Sequence, residues 1–317
     1  MNVSRRAMFK IGAGALAVGV LGVGGASRCR GGARTITIAG GQEGGFYLRF
    51  AALLADEIDK ADVGLLCEPR QTDGSVDNIR QVSTGAADIG LTQADTALAA
   101  VRGEAPFGGP VGIRAIGRIY LDYVQLVVRG DDPADGVADL AGATVSIGAP
   151  GSGTAMLGER MIAAGLSVRW RNMTLRDSVE ALREGRIRAL LWVGGVPTPA
   201  LAGLHREVGL RLLPATELLP ALRTGYGNVY RQVSTPAGGY GKAEGVRTIG
   251  VANLLVCAAT LPEAVAAAVT GVVVDRAAQL VPEEALGTQY MDSRTLIGTL
   301  GVPLHPGAAT AYRAKHG

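Results

Sequence analysis

The chain has 317 residues, enough for two core-bearing lobes, since single cores stop growing at roughly 250–300 residues. Its hydrophobic content of 48% against 19% charged residues excludes a largely disordered chain, and 47 glycines with 4% aromatics suit a Gly/Ala-rich α/β protein. The formal charge of +3 offers no basic face, so nucleic acid is not among the expected partners.

The first element in chain order is a targeting segment. Ser4-Arg5-Arg6-Ala7-Met8-Phe9-Lys10 is a basic stretch, Ile11 to Gly25 is mildly apolar, and small residues follow at Gly24-Gly25-Ala26-Ser27. This order predicts an export signal over residues 1–28 with a twin-arginine flavour, hence a periplasmic or extracytoplasmic protein. Fifteen residues fall short of the ~20 needed to span a bilayer. Removing residues 1–26 takes Arg5, Arg6 and Lys10 and no acids, so the mature chain is near neutral. Cys29 stands where a lipid-modified cysteine would tether the protein, but Arg28 before it is a poor match to such processing. Cys67 and Cys257 lie in apolar runs and read as buried strand residues.

From Thr35 the chain alternates short apolar strands with amphipathic helices, the pattern of an α/β protein with a mostly parallel sheet. The strand Thr35 to Ile38 leads through a glycine-rich turn to a helix from Phe46 to Ile58. A strand follows from Gly64 to Glu68, then a helix from Ser75 to Thr84 and a strand from Ala87 to Thr92. Ile113 to Arg129 is an apolar strand region. The plan then repeats: Thr144 to Ile147, the loop Gly148-Ala149-Pro150-Gly151-Ser152-Gly153-Thr154 and a helix match the first strand–loop–helix unit. Ile79, Val82, Gly85 and Leu91 recur as Val179, Leu182, Gly185 and Leu191. Val246 to Ala258 returns as a strongly apolar strand, and a helix runs from Pro262 to about Leu280. The chain goes out to a second lobe and comes back, which predicts a hinge and a central cleft. The lobes are expected at 34–126 plus 247–317 and at 127–246.

The 148–154 loop is a strand–glycine turn–helix start, and the free N–H groups of a helix N-terminus favour an anion. Enzyme readings of it fail on residues. Thr154-Ala155 follows Gly153 where a Walker A loop needs Lys-Ser/Thr. Met156 stands where the dinucleotide fingerprint needs glycine, and Pro150 where a nucleophile elbow around Ser152 would need one. The three histidines have no metal-ligand spacing, and His305 reads as a structural turn residue. No enzyme activity, cofactor or metal is expected.

The ordered set Phe46-Tyr47, Asp73-Gly74-Ser75-Val76-Asp77-Asn78, Gly85 to Asp95, Ile119-Tyr120, Asp139 to Gly142, Gly148 to Thr154, Val246 to Val256 and Pro303 to Ala308 resembles the TAXI-family solute receptors. These are the extracytoplasmic binding proteins of tripartite ATP-independent periplasmic (TRAP) transporters. The resemblance implies a two-lobed periplasmic-binding-protein fold of type II-like character, a small carboxylate ligand such as glutamate, glutamine or a related dicarboxylate, and an integral-membrane transporter subunit as partner, driven by an ion gradient. Two alternatives stay open: a carboxylate-sensing receptor for a signalling membrane protein, and an enzyme on the same fold using Glu43 or Asp73 as base.

The expected ligand-binding residues fall in four places. Gly45 and Tyr47 follow the first glycine loop. Ser75, Val76 and Asn78 open a helix, with Ser75 read as its N-cap. Gln93 and Asp95 lie at a strand's C-terminal end, where open α/β sheets bind ligands. In the second lobe, Gly151, Ser152, Gly153 and Thr154 form the anion loop, and Trp192 is a cleft wall or a packing residue.

Overall fold

The computed structural model describes residues 33–241, 244–283, 286, 291 and 293–316; the expected export signal and Cys29 lie outside them. The first α/β half runs β1 (Arg34–Ala39), α1 (Phe46–Ala61), β2 (Leu65–Arg70), α2 (Ser75–Thr84), β3 (Ile89–Gln93) and α3 (Ala94–Arg102). The long strand β4 (Ile113–Arg129) leads to the second: β5 (Thr144–Ser146), α4 (Gly153–Ala163), β6 (Arg169–Arg171), α5 (Leu175–Arg183), β7 (Ala189–Gly194), α6 (Pro199–Val208), β8 (Leu210–Leu213), α7 (Leu219–Tyr226) and β9 (Tyr230–Ser234). The chain returns on β10 (Arg247–Ala258) and ends in α8 (Glu263–Asp275), α9 (Ser293–Leu296) and α10 (Pro306–His316).

The repeat seen in the sequence is a repeat of topology. The main sheet order is β2-β1-β3-β10-β4-β7-β5-β6, with β8 beside β4 and β9 beside β10. In each half the strand that precedes the glycine loop, β1 or β5, is central among three parallel strands. An antiparallel long strand then flanks each trio, β10 beside β3 and β4 beside β7. The two long strands pair with each other and pass from one half to the other. β4 pairs with β10 over Ile113 to Tyr123 and with β7 over Tyr123 to Val128, so the handover falls at Tyr123. A register shift between Ala252 and Leu254 places Asn253 at an irregularity opposite β4. Such bulges turn side chains out of the ladder.

Apolar burial explains the local choices. Phe46, Phe50, Leu54 and Ile58 recur every fourth residue along α1 and are buried, one stripe of the helix against the sheet. Leu254, Leu255, Val256 and Cys257 of β10 are buried without alternation, because helices cover both faces of the sheet there. Each such large side chain contributes roughly 1.5–3 kcal/mol. His305 is a buried structural residue directly before α10: its N–H donates to the Ala115 carbonyl and its Nδ1 accepts from Gly307. The N-cap reading of Ser75 is corrected. Gly74 caps α2, and the Ser75 hydroxyl turns inward to accept from the Gln93 N–H at 3.0 Å. That bond ties α2 to the end of β3, which a solvent-side cap could not do.

Polar bonds join the two halves. Asp95 of α3 accepts from the Arg160 guanidinium of α4 at 3.0 Å and from the Tyr230 hydroxyl of β9 at 2.7 Å. Tyr226 covers Arg160 with its ring at 4.3 Å. Gln42 donates to the Asp73 carbonyl and accepts from the Leu175 N–H at the start of α5. The Asp77 N–H donates to the Gly151 carbonyl. Asp95→Ala leaves Arg160 buried without its counter-charge and is expected to cost about 3–5 kcal/mol. Urea unfolding measures it, and a loss under 1 kcal/mol would show that the pair contributes little.

Candidate functional site

Three helix N-termini meet at one point of the molecule. Gly45 is the N-cap of α1, Gly74 that of α2 and Ser152 that of α4, and all three line one cavity. Each helix has at least two turns, and each presents its free N–H groups and the positive end of its dipole there. Gln42, Tyr47, Asp73, Gln93, Asp122, Thr154 and Trp192 also line it, and among the described residues no Lys or Arg does. Its volume of about 30 Å³ has room for one or two water molecules. A ligand of several heavy atoms therefore enters only when the walls separate.

The walls meet closely because glycines face one another's neighbours. A Cβ on Gly153 would lie 2.6 Å from both Gln93 Oε1 and Ser75 Oγ. A Cβ on Gly45 would lie 3.3 Å from the Trp192 ring. Ser152 caps α4 by accepting from the Ala155 N–H at 3.0 Å, and Thr154 accepts from the Val193 N–H at 3.2 Å, tying α4 to β7.

Polar atoms around the cavity are left over. Gln93 Oε1, Asp122 Oδ1, Trp192 Nε1, Asn253 Nδ2 and the Tyr120 hydroxyl are buried without a hydrogen bond among the described residues. Native interiors leave few such groups, and five at one place mark a site for something polar. Tyr47 links them: its hydroxyl donates to Asn253 Oδ1, lies 3.4 Å from Ser75 Oγ, and its ring meets Tyr120 edge-on. Burial pushes the Asp122 carboxyl up to about 7, against a smaller opposite pull from the Asn253 amide. Burial, then the Asp122 charge, hold the Tyr47 and Tyr120 hydroxyls well above their ordinary range, and Tyr123 is raised by the same two causes.

Of the residues expected from the sequence, Gly45, Tyr47, Gln93, Ser152, Gly153, Thr154 and Trp192 line the cavity, and Ser75 stands directly behind it against Gln93 and Tyr47. The others stand apart. Val76 packs against Ala99 and Met156. Asn78 is spent inside the first half, donating to the Gly40 and Leu91 carbonyls and accepting from Thr72. Asp95 belongs to the Arg160–Tyr230 trio. Gly151 opens instead onto a separate groove of about 450 Å³ bordered by Arg80, Glu104, Glu159, Arg160 and Tyr226. Asp122, Asn253 and Gln42 were missed. The signal for the first two was present: an acid within Ile119-Tyr120-Leu121-Asp122-Tyr123-Val124 and an amide within Val251-Ala252-Asn253-Leu254 interrupt runs too apolar to carry a polar side chain idly.

A family model described as the NMT1-like family matches residues 38–315. The chain belongs to the NMT1-like family. Among solved structures, this NMT1-like chain is similar to a Bordetella bronchiseptica RB50 protein at 18% identity, over 89% of this chain and 98% of that one, with a TM-score of 0.55. It is also similar to the GluR0 ligand-binding core in complex with L-glutamate at 13% identity, over 81% and 100%, with a TM-score of 0.51. At these identities the likeness is one of fold. That fold is the two-lobed α/β architecture of periplasmic binding proteins. Among the described residues of this family member, no three His, Cys, Asp or Glu gather as a metal site, and no helix is long and apolar enough to cross a membrane.

Asp122 gives the first test of the site. Its folded-state value lies above the ordinary 3.8, so the native protein binds its proton more tightly than the unfolded chain. Stability therefore falls as pH rises from about 4 to about 7, and above that the charged group costs about 4 kcal/mol. Asp122→Asn, in ligand-free protein, is expected to be more stable than the parent at pH 8, with the gap closing toward pH 4. Urea unfolding at the two pH values checks this, and a variant less stable at pH 8 would contradict it.

Proposed function

We propose that this chain is the extracytoplasmic solute-binding receptor of a TRAP transporter and captures a small carboxylate in the cavity between its lobes. The reading is carried by the convergence of three helix N-caps, Gly45, Gly74 and Ser152, on one cavity where Gln93 Oε1, Asp122 Oδ1 and Trp192 Nε1 are buried without a hydrogen bond among the described residues. Backbone N–H groups and helix dipoles can hold a carboxylate without an arginine. The ordered motifs from Phe46-Tyr47 to Pro303-Leu304-His305-Pro306 support the transporter class, and the basic-then-apolar start of the chain supports export.

The lobes of this proposal are residues 34–126 plus 247–317 and residues 127–246, hinged on β4 and β10. Solute binding shifts an open–closed equilibrium, because the closed cavity is too small to be entered. The α4 N-terminus then approaches Gln93 and Ser75 with the carboxylate between them. Uptake reconstituted with the membrane subunit is expected to follow an imposed ion gradient and not ATP. ATP-driven uptake would assign a different transporter.

Gly153→Val tests the solute site. The valine collides with Gln93 Oε1 and Ser75 Oγ at closure, while the α4 helix itself tolerates the residue. Calorimetric titration with glutamate, glutamine and 2-oxoglutarate is expected to show binding to the parent and a loss of roughly 100-fold or more in the variant. Unchanged unfolding in urea would show the variant folded, and parental affinity in it would place the solute elsewhere.

A further inference from the structure

The cavity contains acceptors as well as donors, and the acceptors constrain the solute. Asp122 is 1% exposed, Gln93 2% and Trp192 8%, and all three line the cavity. Trp192 Nε1 can only donate, which suits a carboxylate oxygen. The amides of Gln93 and Asn253 can turn over and serve either way. An ionised carboxylate cannot: Asp122 Oδ1 only accepts, and it has no donor among the described residues. A dicarboxylate or keto acid at neutral pH brings no donor to it. It brings instead a second negative charge or a carbonyl oxygen into a low-dielectric space.

We propose that Asp122 receives the ammonium group of the solute, which is therefore an amino acid, its carboxylate held at the helix N-termini and its ammonium at Asp122. This rests on the cavity being the solute site. An ammonium supplies three donors, enough for Asp122 Oδ1 and for Gln93 Oε1, whose residue lines the same cavity. The charges complement one another: a zwitterion meets the buried Asp122 carboxylate, the exposed residue Asp73 and three partial positive helix ends, with no Lys or Arg on the lining among the described residues. The groups that face Asp122 are Tyr47 from α1, Tyr120 and Tyr123 of its own strand and Asn253 of β10. The three tyrosines keep their protons through neutral pH, so they do not compete for the cation as anions. The raised position of the Asp122 carboxyl agrees with a charge whose partner comes from outside the chain.

The test uses the whole mature chain, stripped of bound solute, at pH 8. The twenty common L-amino acids, the 2-keto acids that replace their ammonium by a carbonyl oxygen, and short dicarboxylates are screened by thermal shift, and the binders are titrated calorimetrically against parent and Asp122→Asn. At least one amino acid is expected to bind roughly 100-fold more tightly than its keto acid. Asp122→Asn is expected to shrink that ratio below about tenfold by weakening the amino acid alone. A parental protein that binds both partners of a pair equally, or a ratio unchanged in the variant, overturns the proposal. So does binding of dicarboxylates or keto acids without any amino acid, a result that leaves the receptor reading standing. Dicarboxylate binding that tightens from pH 8 to pH 5 would mean a protonated Asp122 donating to the solute, and overturns it equally. Silence of every acid tried counts against both readings.

Discussion

Everything about the site depends on how closely the backbone at Gly153 comes to Gln93 and Ser75. Any side chain there would begin 2.6 Å from both, a distance real Cβ atoms do not tolerate. With glycine in place, the first turn of α4 can bring its free N–H groups against the opposite half. Gly45 comes close to Trp192 as well, where a Cβ would make a tight contact at 3.3 Å. Two close approaches without side chains therefore build a cavity walled largely by backbone donors. Such donors are fixed in direction by their helices and need no rearrangement to meet an anion.

The binding arrangement conflicts with stability at one residue and relies on it at another. Asp122 is a buried carboxylate with no cation beside it and an Oδ1 left without a hydrogen bond among the described residues, a cost that a purely structural interior would not retain. Asp95, equally buried, has both Arg160 and Tyr230. The two acids lie in the same protein, and their partners separate their roles: Asp95 joins the halves, and Asp122 faces the cavity. On the proposed division into lobes, parting the halves must also break or carry along the Asp95–Arg160 bond. The closed form is thus held by contacts outside the cavity as well as by what enters it.

Much of the fold could be read from residue order, and less of the site. The helix from Ser75 to Thr84 and the strand from Ile113 to Arg129 have the bounds their apolar periodicity and flanking glycines indicate. The recurrence of Gly85 and Leu91 as Gly185 and Leu191 became a repeated three-strand unit, because local βα patterns determine local pairing. The helix expected from Pro262 to Leu280 stops at Asp275, after which the chain tightens into a 3₁₀ turn at Ala277–Leu280. For the site, glycine loops before helices pointed to Gly45 and to residues 152–154. What could not be read was orientation. Asn78 and Asp95 lie within three residues of cavity neighbours, yet they turn toward Gly40 and Arg160. Asp122 reaches the cavity, and Asn253 the Tyr47 hydroxyl behind it, through the register of two long antiparallel strands and the irregularity after Ala252, information that exists only once those strands are paired.

A crystal structure of the protein with its captured solute would test the central claim most directly. The solute should lie between the N-caps Gly45, Gly74 and Ser152, with a carboxylate oxygen about 3 Å from backbone nitrogens of the α4 first turn. Solute bound instead in the groove beside Arg80, Arg160 and Tyr226, held by guanidinium groups, would contradict it.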